Sequence, residues 1–279
     1  MIDLHTHTYF SDGTSSPEEL VREARLGGIE AIGITDHDTF EGYDAAVEVA
    51  HQAGLPLIRG IELSTRHDLK SIHLLGYFLR GEPAPEFTAW ILHMQESRRD
   101  RNRRLIASLQ RFGIDITLQE VEREGRSLAG RPHFAKVMVR KGYVPDTETA
   151  FREYLDESAK AYVEREEARL CDAIERVRKA GGIPSVAHPV RIFGNNYERV
   201  DALIRRMTDY GLMAVEAYHS DHKPKDVAHY TELARSLGLG ITGGSDFHGA
   251  YKPKIRLGTG LAGNLAIPYQ VLEDLMSST

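Results

Sequence analysis

The segment MIDLHTHTYFSDGTSSPEELVREARLGGIEAIGITDHD, residues 1–38, contains the pattern of a strand, a helix and a second strand. Ser16 is a typical N-cap, Pro17 suits the first helical position, and Glu19 completes a capping box. The glycines of the following LGG end the helix. The run IEAIGIT at 29–35 is short, apolar and β-branched, which predicts a buried strand. Strand, helix and strand in this order are the unit of a parallel α/β sheet or barrel.

Strands and helices keep alternating through most of the chain. Further strands are predicted at 2–4, 55–63, 71–76, 182–188, 213–219 and 239–248, and further helices at 166–180, 197–210 and 224–237. The segment 83–162 instead has helical periodicity and almost no strand signal. We therefore predict an α/β fold built from residues 1–82 and 163–279, with a helical insertion at 83–162. The insertion contains the charged run ESRRDRNRR at 96–104, which we interpret as a solvated helix face.

The composition excludes several classes of protein. The 279 residues carry a formal net charge of -6, so we do not expect duplex DNA to be held by overall charge, and any phosphate site must be local. The single cysteine, Cys171, allows neither an intrachain disulfide nor a thiolate metal cluster, which fits a reducing compartment. No basic segment followed by an apolar one opens the chain, and no stretch approaches the roughly 18 apolar residues of a membrane span. We expect a cytoplasmic protein without a membrane segment.

Histidines and carboxylates stand at the ends of the predicted strands. They are His5, His7, His37, Glu62, His73, His188, His219, His222, Asp246 and His248. With 13 histidines in the chain, a single His-x-His pair such as that of His5 and His7 is weak evidence. The whole set is stronger evidence, because buried imidazoles and carboxylates gathered at one end of a barrel are costly unless metal ions satisfy them. The set also exceeds the three protein ligands of a typical catalytic zinc, so several metal ions are predicted.

Six motifs together resemble the PHP (polymerase and histidinol phosphatase) family. They are DLHTHTYFSDGT at 3–14, GITDHD at 33–38, GIELS at 60–64, HLLGY at 73–77, AHP at 187–189 and GSDFH at 244–248. The resemblance implies a distorted (β/α)7 barrel that holds up to three divalent ions. In the insertion, GRPHFAKVMV at 130–139 and AKAYV at 159–163 resemble a narrower branch of the family. That branch contains nucleoside 3′,5′-bisphosphate phosphatases and 5′-to-3′ exonucleases that act on short RNA, and it implies that the insertion caps the substrate site.

The resemblance also implies a metal-ligand set for each ion. The first ion would be held by His5, His7, Glu62 and Asp246, the second by Glu62, His73 and His188, and the third by Asp12, His37 and His248. Every one of these positions carries a residue able to bind a metal. Nitrogen and oxygen ligands without sulfur suit manganese, iron or zinc better than calcium. We therefore expect two or three divalent ions, with manganese as the first candidate.

Substrate-binding and catalytic residues follow from the same resemblance. Phosphates would be met by Arg131, His133 and Lys160 of the insertion and by Arg191 after the AHP motif. In the catalytic set, Asp246 would be joined by His219 or His222, one of which would protonate the leaving oxygen, and the sequence leaves the choice between them open. The expected reaction is hydrolysis of the 3′-phosphate of a nucleoside 3′,5′-bisphosphate to the 5′-monophosphate, with trimming of short RNA from its 5′ end as a further activity.

Two alternatives stay open at the level of sequence. The first is a histidinol phosphatase or another small-molecule phosphomonoesterase, which would share only the barrel motifs. The second is a noncatalytic PHP module that stabilises a partner protein. The complete ligand set favours an enzyme over such a module. Metal content together with phosphate release from a small panel of substrates distinguishes the three functions.

Overall fold

The computed structural model describes residues 1–68, 70–125, 129–164, 166–194 and 196–277. Its strands are β1 (Ile2–Asp3), β2 (Ala31–Ile34), β3 (Leu57–His67), β4 (Lys70–Phe78), β5 (Ala168–Arg169), β6 (Ile183–Val186), β7 (Ala214–His219), β8 (Gly240–Gly244), β9 (Ile255–Arg256) and β10 (Gly260–Leu261). Its α-helices are α1 (Pro17–Leu26), α2 (Glu41–Gln52), α3 (Pro85–Arg111), α4 (Leu118–Gly125), α5 (Arg131–Arg140), α6 (Thr147–Ala150), α7 (Leu170–Lys179), α8 (Tyr197–Thr208), α9 (Pro224–Leu237) and α10 (Gln270–Ser277).

Eight of the strands in the described part of the chain form one curved sheet. Its order is β1-β2-β3-β4-β6-β7-β8, and β5 pairs with β3. The first and last strands, β1 and β8, lie side by side. Leu4 N donates to Gly243 O at 3.1 Å, and Asp246 N donates to His5 O at 2.8 Å. The sheet is therefore a nearly closed barrel, and the predicted α/β barrel fold is confirmed.

Strand β4 departs from the parallel order that strand–helix alternation suggested. It runs antiparallel to both β3 and β6, whereas β1–β2, β2–β3, β6–β7 and β7–β8 are parallel pairs. The cause is the short link between His67 and Lys70, since a parallel pair needs a crossover of a dozen or more residues. The reversal pairs His73 near the beginning of β4 with Ser64 in the second half of β3. His73 consequently lies at the barrel end where the parallel strands finish.

Two glycines allow β1 to lie close to its neighbours. A Cβ atom at Gly244 would overlap His5, and one at Gly33 would overlap the backbone of Leu4. A residue without a side chain is needed where two backbones approach this closely. These contacts hold β1, and with it the following histidines, in a fixed position inside the barrel.

The helices of the barrel follow the sequence signals closely. At the start of α1, Glu19 N donates to Ser16 Oγ at 3.1 Å and Ser16 N donates to Glu19 Oε2 at 2.8 Å, as a capping box requires. Helix α9 has the predicted bounds of 224–237. The helix predicted at 166–180 is shorter, because 168–169 form β5 and pair with β3 before α7 begins.

The insertion is helical as predicted, and no strand occurs in its described residues, 83–125 and 129–162. It packs around an apolar core of its own, which includes Leu105, Leu109, Ile116, Phe134, Val137 and Met138. Helix α3 belongs to both halves of the molecule, since Phe87 and Ile91 at its beginning pack in the largest barrel core. The division of the chain at 83 and 162 stays a prediction.

None of the helices in the described ranges combines the length and the apolar character that crossing a bilayer requires. The longest of them, α3, carries the charged run at 96–104.

Candidate metal centre

Three groups of metal-binding side chains lie together at the end of the barrel where the parallel strands finish. Within each group the candidate ligand atoms lie within 4.8 Å of one another. The groups are His5, His7, Glu62 and Asp246; His7, Asp12, His37 and His248; and His37, Glu62 and His73. They contain eight of the nine residues in the ligand set that the family resemblance implied, and the ninth, His188, reaches Glu62 directly. The ligand roles themselves stay a prediction.

Glu62 lies at the centre of the three groups. Its Oε1 is 2.9 Å from His73 Nδ1 and 3.0 Å from His188 Nε2. Its Oε2 is 3.3 Å from His5 Nε2, 3.1 Å from His7 Nε2 and 3.3 Å from His37 Nδ1. One buried carboxylate therefore faces five imidazoles, with different histidines on its two oxygens. This is the geometry expected of a carboxylate that bridges two cations.

The hydrogen-bond pattern fits metal ligation. Among the described residues, His5 Nε2, His7 Nε2 and His37 Nδ1 are buried nitrogens without a hydrogen-bond partner. All three face Glu62 Oε2, and a buried polar atom in this situation costs free energy unless something else binds it. Imidazole nitrogens and carboxylate oxygens suit manganese, iron or zinc. The donor set therefore fits divalent transition-metal ions.

The electrostatics of the site keep its carboxylates ionised. Burial by itself would raise the pKa values of Asp12, Glu62 and Asp246, but the surrounding histidines hold each well below its ordinary value. Burial lowers the pKa of His37 to about 4 and that of His188 to about 3, so both imidazoles are neutral at pH 7. Burial also lowers the pKa values of His5 and His7, but the neighbouring carboxylates outweigh burial and raise that of His5 well above its ordinary value and that of His7 to about 9. Because a metal binds the neutral imidazole, metal binding at His5 and His7 would release protons.

Glu216 on β7 is a functional residue that the sequence analysis missed. Its Oε1 accepts a hydrogen bond from His5 Nδ1 at 2.7 Å, and its Oε2 accepts one from His188 N at 2.6 Å. The bond to Nδ1 leaves the lone pair of His5 Nε2 facing Glu62. Carboxylates that orient a ligating histidine in this way are common around metal sites. The signal was the sequence AVEAYH, in which a charged residue interrupts the apolar run of a strand.

We expect Glu216→Gln to weaken metal binding by about 10- to 100-fold, the usual effect of removing an orienting carboxylate. A carboxamide offers one acceptor oxygen, whereas Glu216 accepts from two donors, His5 Nδ1 and His188 N. Competition titration with a chromophoric chelator measures the change. The control is Glu232→Gln, which replaces an exposed carboxylate that pairs with Arg235 on α9. Equal metal affinity in the two variants would show that Glu216 does not orient His5.

Backbone strain is concentrated at this end of the barrel. Asp38, His188 and Asp246 have positive φ angles of 54°, 28° and 57° although none is glycine. Such conformations cost free energy and persist where the surrounding structure requires them, often at functional sites. His188 and Asp246 lie two residues after the ends of β6 and β8, and their side chains lie among the metal-binding groups, whereas Asp38 pairs with Arg98.

A cavity of about 310 Å³ opens beside the metal-binding groups and carries arginines that the sequence analysis misplaced. Arg98 and Arg101, in the run interpreted as a solvated helix face, are buried and line this cavity. The error arose because the face of α3 that passes the barrel end is covered by the insertion. Arg98 pairs with Asp38 and donates to Ser64 Oγ at 2.9 Å, which fixes its position. The predicted Arg131 also lines this cavity.

A second cavity, of about 320 Å³, adjoins the first at the same groups. The predicted Arg191 lines it together with Lys136 and Lys252, and His133 lines both cavities. Arg191 Nη1 and Lys252 Nζ donate to Asp246 Oδ2 at 2.8 and 2.7 Å. Two cations thus lie against a candidate metal ligand.

Lys160 does not line either of these two cavities, and its predicted contact with the substrate stays a prediction. Its side chain is 45% exposed, and its Nζ lies 3.9 Å from the Tyr154 ring centroid and 3.9 Å from Glu153 Oε2. An aromatic ring and a carboxylate therefore lie beside the ammonium group.

The two histidines predicted as general acids differ in their positions, and neither lines the two cavities described above. His219 is buried, accepts a hydrogen bond from Asp221 N on Nδ1 at 3.0 Å, and lies 3.4 Å from Asp246 Oδ2 through Nε2. His219 thus contacts a candidate metal ligand. His222 donates from Nδ1 to Ala217 O at 2.8 Å, and burial lowers its pKa to about 4. A proton-donating role for either histidine stays a prediction.

Comparison with known proteins adds independent evidence. The model of the PHP domain family matches residues 3–210. A 3′,5′-nucleoside bisphosphate phosphatase of Chromobacterium violaceum is 32% identical over 250 residues, which cover 88% of this chain and 87% of that protein. A 5′-3′ exoribonuclease of Haemophilus influenzae is 31% identical over 246 residues, which cover 88% and 89%.

A solved structure from Bifidobacterium adolescentis, classed as a metal-dependent phosphoesterase, superimposes with a TM-score of 0.81 at 29% identity and covers 99% of this chain and 95% of that one. The family match includes more than half of the chain, and the similarity in structure extends over nearly all of it. The motifs that suggested the family are the same segments that bring the histidines and carboxylates together at the barrel end. The chain therefore belongs to the PHP domain family and is a metal-dependent phosphoesterase, a hydrolase of phosphoric esters.

Proposed function

We propose that this enzyme removes the 3′-phosphate from nucleoside 3′,5′-bisphosphates and also hydrolyses short RNA from its 5′ end. The observation that carries the proposal is the arginine-lined cavity directly beside the metal-binding groups. A substrate with one phosphate at the metals and a second phosphate nearby fits such a site. The similarity to a bisphosphate phosphatase and to a 5′-3′ exoribonuclease, each over 88% of this chain, supports the same conclusion.

The remote phosphate requires its own cationic partners, because a dianion that enters a cavity without them loses its hydration uncompensated. Arg101 and Arg131 come from the insertion and line the first cavity, and guanidinium groups bind phosphate oxygens in pairs. His133 adds a neutral donor, since its Nδ1 accepts from Gly130 N at 2.9 Å and its proton is therefore on Nε2. Burial lowers the pKa of His133 to about 4, which keeps it neutral at pH 7. This cavity would bind the 5′-phosphate.

At the reacting phosphate, Glu62, Asp12, Asp246 and the neighbouring histidines would hold two or three divalent ions, for which manganese is our first candidate. Such ions, when bound, activate water for attack on phosphorus and neutralise charge on the phosphate oxygens. Arg191 and Lys252, which both contact Asp246 Oδ2, are placed to pair with oxygens of the same phosphate. His219 holds Asp246 in position through Nε2. We do not propose duplex DNA as a substrate.

The direct test is phosphate release from a panel of small substrates in the presence of manganese. The panel contains adenosine 3′,5′-bisphosphate, adenosine 3′-monophosphate, histidinol phosphate and an aryl phosphate. We expect the bisphosphate to have the highest kcat/KM, and 5′-AMP to be the nucleotide product. A higher kcat/KM for histidinol phosphate would identify the alternative phosphatase instead. An absence of phosphate release from every substrate by metal-loaded protein would support a noncatalytic module.

Arg131→Ala should reduce kcat/KM for the bisphosphate. The loss of transition-state stabilisation should be roughly 1.5–3 kcal/mol, the range for a lost hydrogen bond to a charged group. Hydrolysis of the aryl phosphate, which has no second phosphate, should fall much less. The control is Arg140→Ala on the same helix, where the arginine is exposed and pairs with Glu124. Equal losses on both substrates would place Arg131 at the reacting phosphate, and no loss on either would remove it from the binding site.

A further inference from the structure

We propose that RNA extends from the metal centre through the second cavity and continues onto a basic surface formed by Lys252, Lys254 and Arg256, so that the nucleotides 3′ of the scissile bond bind there. The proposal rests on the proposed function and deepens it, because it assigns a binding path to the polynucleotide substrate. It also gives the chain a direction, with the 5′-phosphate in the first cavity and the 3′ portion leaving by the second.

Compared with hydrolysis of the bisphosphate, hydrolysis of RNA requires only one further feature of the site, an opening for the rest of the chain. In the bisphosphate, the oxygen of water bonds to phosphorus, the P–O3′ bond breaks with its electron pair on O3′, and O3′ takes one proton from water while the other enters solvent. In RNA the same bonds form and break, and the phosphate remains on the 5′ oxygen of the next nucleotide. The leaving group is identical in both reactions. An exonuclease therefore differs from the phosphatase only in needing space for a chain attached to the reacting phosphate.

The first cavity does not offer that space to a polyanion. Beyond its arginines, its wall includes the exposed carboxylate of Asp156 and the carboxylate of Glu167, which pairs with Arg66. A single phosphate can reach the arginines, but a continuing series of phosphates would pass the negative charge of Asp156. Repulsion between like charges thus disfavours a polynucleotide in this cavity while leaving the binding of a single phosphate unaffected. The first cavity is thus suited to the end of a chain.

The second cavity has the opposite character. Its wall away from the metal-binding groups contains Lys136 of α5 together with Tyr251 and Lys252 from the loop after β8. The ammonium of Lys136 lies over the Tyr251 ring, so the insertion and the barrel contact each other here. Phe151 adds a second aromatic ring to the lining. Lysines and aromatic rings are the side chains that bind single-stranded nucleic acid, by charge and by base stacking.

The basic surface continues directly from this cavity. One residue after Lys252, Pro253 begins the lining of a shallow depression of about 650 Å³. The depression is bounded by Pro253, Lys254, Arg256, Thr259, Leu261, Ala262 and Gly263, none of them acidic. Both Lys254 and Arg256 are exposed, and within the described ranges neither forms a salt bridge. A backbone hydrogen bond of 2.9 Å from Ile255 N to Lys252 O closes a turn, which keeps these residues together.

The test compares substrates of increasing length in the manganese-loaded enzyme. We expect the double charge reversal Lys254→Glu/Arg256→Glu to lower the ratio of kcat/KM for a 5′-phosphorylated tetranucleotide to kcat/KM for the bisphosphate by about tenfold. The salt dependence should change as well, because each lost phosphate contact reduces the slope of log affinity against log salt by about 0.7 for a single strand. Fluorescence anisotropy with a tetranucleotide carrying a phosphorothioate at the first linkage measures this slope without turnover.

The matched control is Lys179→Glu/Arg235→Glu. Both residues are exposed near the C-terminal ends of α7 and α9, at the opposite end of the barrel, and the control makes the same change in net charge. An unchanged ratio of kcat/KM in Lys254→Glu/Arg256→Glu, or the same change in the control, would overturn the basic path. Cleavage of the bisphosphate but of no oligonucleotide by the unaltered enzyme would overturn it as well. Failure of the unaltered enzyme on the bisphosphate and RNA alike would instead reject the proposed function.

Discussion

Replacement of Glu62 by alanine is expected to reduce kcat/KM by at least about 10³-fold and to lower the bound metal by more than one equivalent per chain. The reason is the central position of this carboxylate, whose two oxygens face different imidazoles. Loss of one side chain therefore removes a ligand from two cations and leaves several buried histidines without their anionic partner. Elemental analysis after gel filtration, together with steady-state kinetics, measures both effects.

Two controls make the Glu62→Ala result interpretable. Glu82→Ala removes an exposed carboxylate that pairs with Arg59 and should change neither metal content nor activity. Circular dichroism of Glu62→Ala should show a folded protein, because the change removes a ligand and little apolar core. Unchanged metal content in a folded Glu62→Ala variant would show that this carboxylate does not bridge two ions.

The second large effect is the loss of hydrolysis when metal is removed. We expect purified protein, expressed with added manganese, to contain about two to three equivalents of divalent metal, because the ligands exceed those that a single ion uses. Dialysis against a chelator should abolish activity, and added manganese should restore it. Magnesium should restore less, since it favours oxygen ligands over imidazole.

Metal content below one equivalent in a fully active preparation would contradict a multinuclear centre. Exchange of the restoring ion among manganese, iron and zinc identifies the metal that supports the highest kcat/KM. This measurement is needed because nitrogen and oxygen ligands alone do not distinguish these three ions.

The parts of this molecule that sequence could predict are those in which local chemistry determines structure. The capping box at Ser16 and Glu19 predicted the start of α1, and the short apolar runs predicted the strands. Both signals are readable because they depend on residues that are adjacent in the chain. The clustering of His5, His7 and Asp246 was also predictable, since strand ends in an α/β barrel meet at one edge. These residues are far apart in the chain, but the alternation of strands and helices determines where they meet.

The parts that sequence could not predict depend on contacts between distant segments. Arg98 and Arg101 have the pattern of a solvated helix face, and only the position of the insertion turns them into cavity residues. The role of Glu216 could not be predicted, because it depends on a hydrogen bond from His5, which is distant in the sequence. The position of Lys160 beside Tyr154 and Glu153 is likewise a matter of folded contacts that its sequence motif does not show.

Helix α3 has a consequence for how the enzyme admits its substrate. Its 27 residues run without interruption from the barrel core at Phe87 to the insertion core at Leu109, and they present Arg98 and Arg101 to the first cavity midway. A hinge needs a break in the backbone, such as a proline or an irregular turn, and this helix has none between the two cores. The distance between these arginines and the metal-binding groups is therefore fixed by the helix. Under the proposed function, a substrate whose two phosphates are spaced differently would bind poorly, because the helix offers no hinge that could adjust this distance.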